Sequence, residues 1–244
     1  MLITQTDIHK HGVAAGDRVA SFSDNIMQFL KQISYRKVTT EAERQEVFQF
    51  RYQAYMRQKG IADPDYVNRA FTDPEDDKSN CSLFAIYMDG ELSASIRFHI
   101  GAPGLPETPS ASTYPDIIQP ILRDGESYID PTRFCTARDG GPADNNSLAF
   151  ATIRLICMAT EHYRVDHIIA AIRGEHRAFY KRYLLMNEVV HEGRAYPYLA
   201  RPLILMETRL SAVRDKVAHR SPFLQSTEEE RTALFGIPRP GVWS

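Results

Sequence analysis

The sequence lacks three features that would assign it to a common class of protein. It has no run of 18 apolar residues, and polar and charged residues interrupt its first ten positions, where a secretory signal would need an apolar stretch. Its formal net charge is -2, so it has no basic excess for a nucleic-acid partner. We therefore expect a cytoplasmic protein that does not bind nucleic acid and whose membrane contact is at most peripheral.

Cysteine is also scarce. The three cysteines Cys81, Cys135 and Cys157 are widely spaced, form no CxxC pair and have no histidine at metal-ligand spacing. This pattern predicts reduced thiols and no metal site. Cys135 has the chemistry of a nucleophile, but a small buried residue on a strand is the favoured interpretation.

The composition is that of a globular protein with one core. The chain has 244 residues, of which 43% are hydrophobic and 25% are charged. We assign residues 1–37 to an N-terminal extension, 38–208 to the main domain and 209–244 to a C-terminal helical extension. The N-terminal extension contains apolar residues at helical spacing, which predict a docking helix. These are Ile26, Phe29, Leu30 and Ile33.

A helix and an acidic segment come next. Thr39 or Thr40 is the candidate cap of a helix that should end near Lys59-Gly60. The segment from Ala62 to Asn80 is acidic, with Asp73-Pro74-Glu75-Asp76-Asp77 near its end. This composition predicts an exposed loop.

Two runs then predict an antiparallel hairpin. Residues 82–88 are mostly apolar, Asp89-Gly90 is a turn signal, and apolar and polar residues alternate from Glu91 to Ile100. The alternation places Arg97 and His99 on one face of the second strand.

The remaining pattern predicts a mixed sheet. A Pro-, Ser- and Thr-rich excursion covers residues 101–125, with a helical turn over 116–122. A strand follows over 128–136, and its Pro131 predicts a bulge or incomplete pairing there. A helix over 147–163, a strand over 167–172, a helix over 175–185 and two extended segments complete the domain. We therefore expect an α/β (α+β) fold with a mixed central sheet flanked by helices.

The first candidate site is the loop between the 128–136 strand and the next helix. It reads Arg138-Asp139-Gly140-Gly141-Pro142-Ala143. Glycines let backbone N–H groups approach a pyrophosphate, and the helix N-terminus adds unpaired donors. An ordinary strand-to-helix turn is the alternative.

The element order and this loop resemble the GNAT acyltransferases. The loop is similar to their Gln/Arg-x-x-Gly-x-Gly/Ala motif, which implies that Arg138, Gly140, Gly141 and Ala143 bind the donor's phosphates. Tyr180 lies in a segment that looks like the fourth helix of that fold. The resemblance implies that its hydroxyl protonates the departing thiolate. A packed tyrosine is the alternative.

A second set of residues resembles the acyl-homoserine lactone synthases of the LuxI family. Asp130-Pro131-Thr132-Arg133-Phe134 is similar to their Glu-x-Ser-Arg-Phe strand. The resemblance implies a catalytic role for Asp130 and Thr132, with the Asp130 carboxylate binding or deprotonating an incoming amine. Asp130 and Arg133 as structural ion-pair members are the alternative. The same resemblance assigns substrate binding to Arg51, Tyr55, Asp73, Asp76, Asp77, Arg97 and Arg133.

One departure changes the expected product. The lactone synthases carry a tryptophan after the opening helix, whereas the only tryptophan here is Trp243. The sequence looks closer to N-acyl amino acid synthases of the FeeM type, which resemble LuxI proteins. It also looks like a related group of acyltransferases found with exosortase systems.

This resemblance implies an N-acyltransferase that moves a long acyl chain to the amine of a small molecule, most simply an amino acid. The donor would be an acyl carrier protein or acyl-CoA, used as a co-substrate with no tightly bound cofactor. The expected carrier-protein contacts are Arg177, Lys181 and Arg182. The alternatives are a homoserine lactone synthase, an acetyl-CoA-dependent acetyltransferase and a non-catalytic acyl-binding module.

Overall fold

A seven-stranded mixed sheet forms the centre of the molecule. Its neighbouring strands are, in order, β1 (Ile33–Lys37), β2 (Cys81–Met88), β3 (Glu91–Gly101), β4 (Tyr128–Thr136), β5 (His167–Ile172), β7 (Leu203–Thr208) and β6 (Asn187–Arg194). The structure is a computed structural model that describes residues 21–58, 69–137, 142–196 and 199–237. The predicted α/β class with a mixed sheet and flanking helices is confirmed. None of the described helices is long and apolar enough to cross a membrane.

The N-terminal extension contributes a helix and an edge strand. Helix α1 (Phe22–Leu30) begins with a capping box between Ser21 and Asp24, and its Ile26 is buried. Strand β1 (Ile33–Lys37) pairs antiparallel with β2. The placement of Ile33 on the helix is therefore wrong, because this residue begins the strand and lies opposite Met88.

Helix α2 and a short acidic turn cover one side of the sheet. Helix α2 (Glu41–Gln58) matches its predicted bounds closely. The acidic segment ends in a 3₁₀ turn, Pro74–Asp77. The described part of this segment corrects the expected exposed loop, since Asp73 and Asp76 are buried. Their burial is possible because arginine side chains neutralise them, as described below.

Strands β2 (Cys81–Met88) and β3 (Glu91–Gly101) form the predicted hairpin. Asp89 and Gly90 both have positive φ, 50° and 87°, as a two-residue type I′ turn requires. The excursion after β3 contains two helices, α3 (Pro109–Thr113) and α4 (Pro115–Arg123). Gly101 lets the ring of Tyr128 lie against the backbone of β3, because a Cβ there would come within 2.0 Å of the ring.

The second half of the sheet is built around a crossover. Strand β4 (Tyr128–Thr136) leads to helix α5 (Pro142–Tyr163), which starts five residues before its predicted start at 147, and then to β5 (His167–Ile172). The stretch from Leu148 to Met158 supplies the core beneath the sheet. The described elements continue with α6 (Arg177–Tyr183), β6 (Asn187–Arg194), β7 (Leu203–Thr208), α7 (Leu210–Arg220) and α8 (Glu228–Phe235).

Candidate active site

A cleft opens where β4 and β5 separate. The two parallel strands pair only at Tyr128 with His167 and at Ile129 with Ile168. Beyond these pairs the strands diverge around a cavity of about 330 Å³. Its walls combine apolar residues with polar groups that include Thr132 and Tyr180.

A bulge in β4 shapes one wall of this cleft. Arg97 of β3 lies opposite Thr132 and Ser95 lies opposite Cys135, so two residues of β4 face one residue of β3. The extra residue adopts a left-handed conformation, with φ of 56° at Arg133. The sequence placed the irregularity at Pro131, but Pro131 pairs in register with Phe98.

The bulge turns Arg133 towards a buried ion-pair cluster. Arg133 donates to Asp73 Oδ2 from Nε at 2.9 Å and from Nη2 at 2.7 Å. Arg97 Nη1 reaches Asp73 Oδ1 at 2.5 Å and Asp76 Oδ1 at 3.0 Å. Arg51 Nη1 donates to Asp76 Oδ1 at 2.8 Å. The structure thus brings together five of the predicted substrate-binding residues as mutual partners, and we call them the ion cluster.

The ion cluster joins to the cleft through Thr132. Arg97 Nε donates to Thr132 Oγ1 at 3.0 Å, and Thr132 lines the cleft. Burial opposes ionisation of Asp73, but Arg97 and Arg133 outweigh this effect and hold its pKa at about 2. Asp73 is therefore a carboxylate at neutral pH.

Two predicted acidic residues lie outside the ion cluster. Asp77 is exposed and pairs with Arg44 at 2.5 Å. Asp130 is fully buried and accepts hydrogen bonds from the Ser110 backbone N–H and hydroxyl, both at 2.8 Å. Burial raises the pKa of Asp130. Asp130 is not among the residues that line the cleft.

The cleft is lined by two tyrosines that the sequence analysis named as candidate site residues. Tyr55 packs on Phe71, with ring centroids 4.9 Å apart, and lies beneath the Arg133 guanidinium. Tyr180 lies on α6 at the β5 side. Burial raises the pKa of each hydroxyl to about 12, so both keep their protons at neutral pH.

A second, smaller cavity of about 140 Å³ adjoins the cleft. Arg133 and Tyr196 line both cavities. Arg97, Glu75 and Ser112 also line the smaller one. We call it the side cavity.

The predicted phosphate loop falls mostly outside the described residues. Arg138, Gly140 and Gly141 are outside the described residues. Ala143 falls in the first turn of α5, but its side chain is not described.

The predicted carrier-protein contacts lie on α6. Arg177 pairs with the Glu188 carboxylate at 2.7 Å. Lys181 lies 3.8 Å from the same carboxylate. No cluster of His, Cys, Asp or Glu suited to a metal ion occurs among the described residues.

Sequence reasoning missed three residues of this region. Tyr196 has no motif around it; it follows β6, the edge strand next to β7, and only tertiary packing brings it to the site. Ser110 lies in the excursion, where a serine among prolines gives no signal of its contact with Asp130. Glu75 lies within the acidic segment, so its position between Asp73 and Asp76 was the available signal.

The comparisons with known proteins agree with this architecture. A family model described as N-acyl amino acid synthase FeeM matches residues 46–209, which is more than half of the chain. No curated protein matches the sequence.

Solved acyltransferase structures share the fold. FeeM, an N-acyl amino acid synthase from uncultured soil microbes, is 16% identical with a TM-score of 0.60, covering 79% of this chain and 98% of that one. The CoA-dependent acyl-homoserine lactone synthase MesI is 16% identical with a TM-score of 0.51, covering 80% and 97%. The AHL synthase LasI is 12% identical with a TM-score of 0.50, covering 73% and 89%.

Proposed function

The chain belongs to the N-acyl amino acid synthase FeeM family and is an acyltransferase, and from this premise we propose that it joins a long acyl chain to the amine of an amino acid. The donor is a thioester of an acyl carrier protein or of CoA. The reaction takes place in the cytoplasm, with peripheral membrane contact where the lipid product leaves.

The cleft between β4 and β5 is the observation that carries this proposal. Its volume of about 330 Å³ corresponds to about eleven waters at ~30 Å³ each, which is enough to enclose roughly eleven carbons of an acyl chain. Apolar residues form much of its wall. These are Pro131, Phe134, Ala170, Ala171, Ile172, Leu199 and Leu203.

The polar groups of the cleft fit amide formation from a thioester. The amine nitrogen attacks the carbonyl carbon, a C–N bond forms and the C–S bond breaks, and one proton is released to solvent. Beyond Ile129 the edge of β4 is not paired with β5, which leaves backbone N–H groups there for the oxyanion. Tyr180 delivers the proton that the leaving thiolate takes up and regains one from solvent.

The charges near the cleft fit the two substrates. The acceptor carboxylate is held by Arg97 and Arg133, because a guanidinium offers parallel donors to a planar anion. An acidic carrier protein, or the phosphates of CoA, meets the basic residues of α6. These are Arg177, Lys181 and Arg182.

The test is a lipid analysis with a blocked cleft. Bacteria expressing the intact chain should accumulate long-chain N-acyl amino acids detectable by mass spectrometry. Ala171→Phe places a ring in the cleft and should reduce these products at least about tenfold. Ala212→Phe is the matched control, because Ala212 is exposed on α7, away from the basic residues of α6, and does not line the cleft.

The products also separate the alternatives. Acyl-homoserine lactones in place of N-acyl amino acids would assign the chain to lactone synthesis. Acetylated amines alone would overturn the long-chain donor. Equal products from the Ala171→Phe and Ala212→Phe variants would show that the acyl chain binds elsewhere.

A further inference from the structure

The side cavity has the features of a binding site for a small zwitterion. It lies beside the cleft and shares Arg133 and Tyr196 with it, so a molecule bound there is next to the thioester. Arg97 lines it as a fully buried cation. Buried charged groups normally have all their polar atoms paired, and departures from this rule call for a ligand or another explanation.

Arg97 departs from that rule. Its Nε and Nη1 donate to Thr132, Asp73 and Asp76, but its buried Nη2 has no hydrogen-bond partner among the described residues. An unpaired donor on a buried guanidinium is costly. A ligand carboxylate beside Nη2 would remove that cost.

The charge balance around Arg97 also favours an anion. Within the ion pairs of the described residues, three arginines share two aspartates, so the cations of the ion cluster outnumber its anions by one. His99, on the same face of β3, adds no charge, because burial and Arg97 lower its pKa to about 3. A single ligand carboxylate therefore neutralises the cluster.

The side cavity also contains a partner for the ammonium group of an amino acid. Glu75 lines the same cavity, and its carboxylate pairs with Lys78 at 2.7 Å. An ammonium group entering the cavity meets the carboxylate of Glu75 while its carboxylate meets Arg97. Before attack the amine loses one proton to solvent.

The size of the cavity sets a limit on the acceptor. A volume of about 140 Å³ holds about five waters at ~30 Å³ each. This space accommodates the backbone atoms of an amino acid and a small side chain, but not an aromatic ring in addition. Tyr196 lines both cavities, so its ring lies at their junction, where a larger side chain would have to extend into the cleft.

We propose that the side cavity is the acceptor site and that it selects small α-amino acids, such as glycine, alanine and serine, over aromatic ones. This inference rests on the proposed N-acyl amino acid synthase activity and adds the identity of the acceptor class.

The test measures acceptor preference directly. The full chain is incubated with lauroyl-CoA, and separately with a lauroyl carrier protein, and with glycine, alanine, serine, phenylalanine, tyrosine or tryptophan. Thiol release and N-lauroyl products are followed. We expect kcat/KM to be at least about tenfold higher for the best small amino acid than for any aromatic one. Glycinamide, which lacks the carboxylate, should be a poor acceptor by a similar factor.

A substitution provides a gain-of-function arm. Tyr196→Ala should join the two cavities and raise the ratio of tyrosine to glycine turnover at least about tenfold. Tyr163→Ala is the matched control, since Tyr163 lies at the end of α5 and lines neither cavity. Its ratio should equal that of the unmodified chain.

The outcomes separate the two proposals. If aromatic amino acids are acylated as well as glycine, the size limit is wrong and the synthase activity stands. If glycinamide matches glycine, the role of Arg97 is wrong. If no amino acid is acylated from either donor, both proposals fail. The unmodified chain alone decides these three cases, even where Tyr196→Ala does not fold.

Discussion

Tyr180 and Tyr196 are chemically alike, but their positions give them different expected roles. Tyr180 lines only the larger cleft, in which we propose that the thioester binds. Tyr196 lies between that cleft and the side cavity. Burial raises the pKa of both hydroxyls, so both are neutral at physiological pH. Their locations are the reason for proposing proton donation for Tyr180 and acceptor selection for Tyr196.

The role of Tyr180 predicts a kinetic signature. Tyr180→Phe should lower kcat for amide formation about 100-fold, because a general acid contributes roughly 10²–10⁴-fold, while KM for the donor changes little. An aryl thioester, whose thiolate leaves without protonation, should recover most of the loss. The measurement is steady-state thiol release with lauroyl-CoA and with an aryl laurate thioester.

Tyr163→Phe serves as the control for that experiment. It removes a buried hydroxyl that has no hydrogen-bond partner among the described residues and lies outside the cleft. The rates of thiol release by Tyr163→Phe, with lauroyl-CoA and with the aryl thioester, should match those of the unmodified chain. An equal loss with both thioesters in Tyr180→Phe would contradict proton donation and indicate a packing role.

At the scale of elements, the sequence predicted which segments are helices and strands better than it predicted their pairing and burial. The hairpin of β2 and β3 could be placed from alternation and a turn signal, because both are local properties. Strand β1 could not be predicted in this way, because Ile33 continues the apolar spacing of α1. Only its pairing with Met88 makes it a strand residue. The burial of Asp73 and Asp76 depends on arginines up to 60 residues away in sequence, which composition does not reveal.

The β4 bulge shows the same limit. Pro131 correctly predicted an irregular strand, but the strained residue is Arg133, two positions later. No property of an arginine indicates positive φ. The bulge lets Thr132 and Arg133 both reach the ion cluster from adjacent positions, whereas Asp130 of the same motif lies apart and is hydrogen-bonded to Ser110.

This conformation predicts opposite effects of glycine at two arginines. Arg133→Gly should be more stable than Arg133→Ala by about 1 kcal/mol, because glycine adopts positive φ without steric cost. At Arg97, which lies within β3 and does not have positive φ, the order should reverse by roughly 0.5–1 kcal/mol. Urea unfolding of the four variants measures both differences. The same sign at both positions would contradict a backbone origin.

For the whole molecule, the ion cluster connects parts of the chain that are distant in sequence. Arg51 belongs to α2, Asp73 and Asp76 to the segment of the 3₁₀ turn, Arg97 to β3 and Arg133 to β4. Breaking one buried pair leaves an uncompensated charge, which costs several kcal/mol. The cluster therefore ties the α2 side of the molecule to the strand that forms the cleft.

The cluster also predicts how stability depends on pH. The pKa of Asp73 is about 2 in the folded protein and about 4 in an unfolded chain, so the unfolded state binds its proton first as pH falls. The stabilisation is complete above pH ~4 and is lost as pH falls from about 4 to about 2, by roughly 2–3 kcal/mol. Asp73→Asn should be less stable at pH 7 and should show a correspondingly smaller loss in that window. Urea unfolding between pH 5 and 2.5 measures this, with the exposed Asp77→Asn as the control that keeps the full loss. Parallel curves for the unmodified chain and Asp73→Asn would contradict the assigned charge of the cluster, and with it the single excess positive charge that the acceptor site requires.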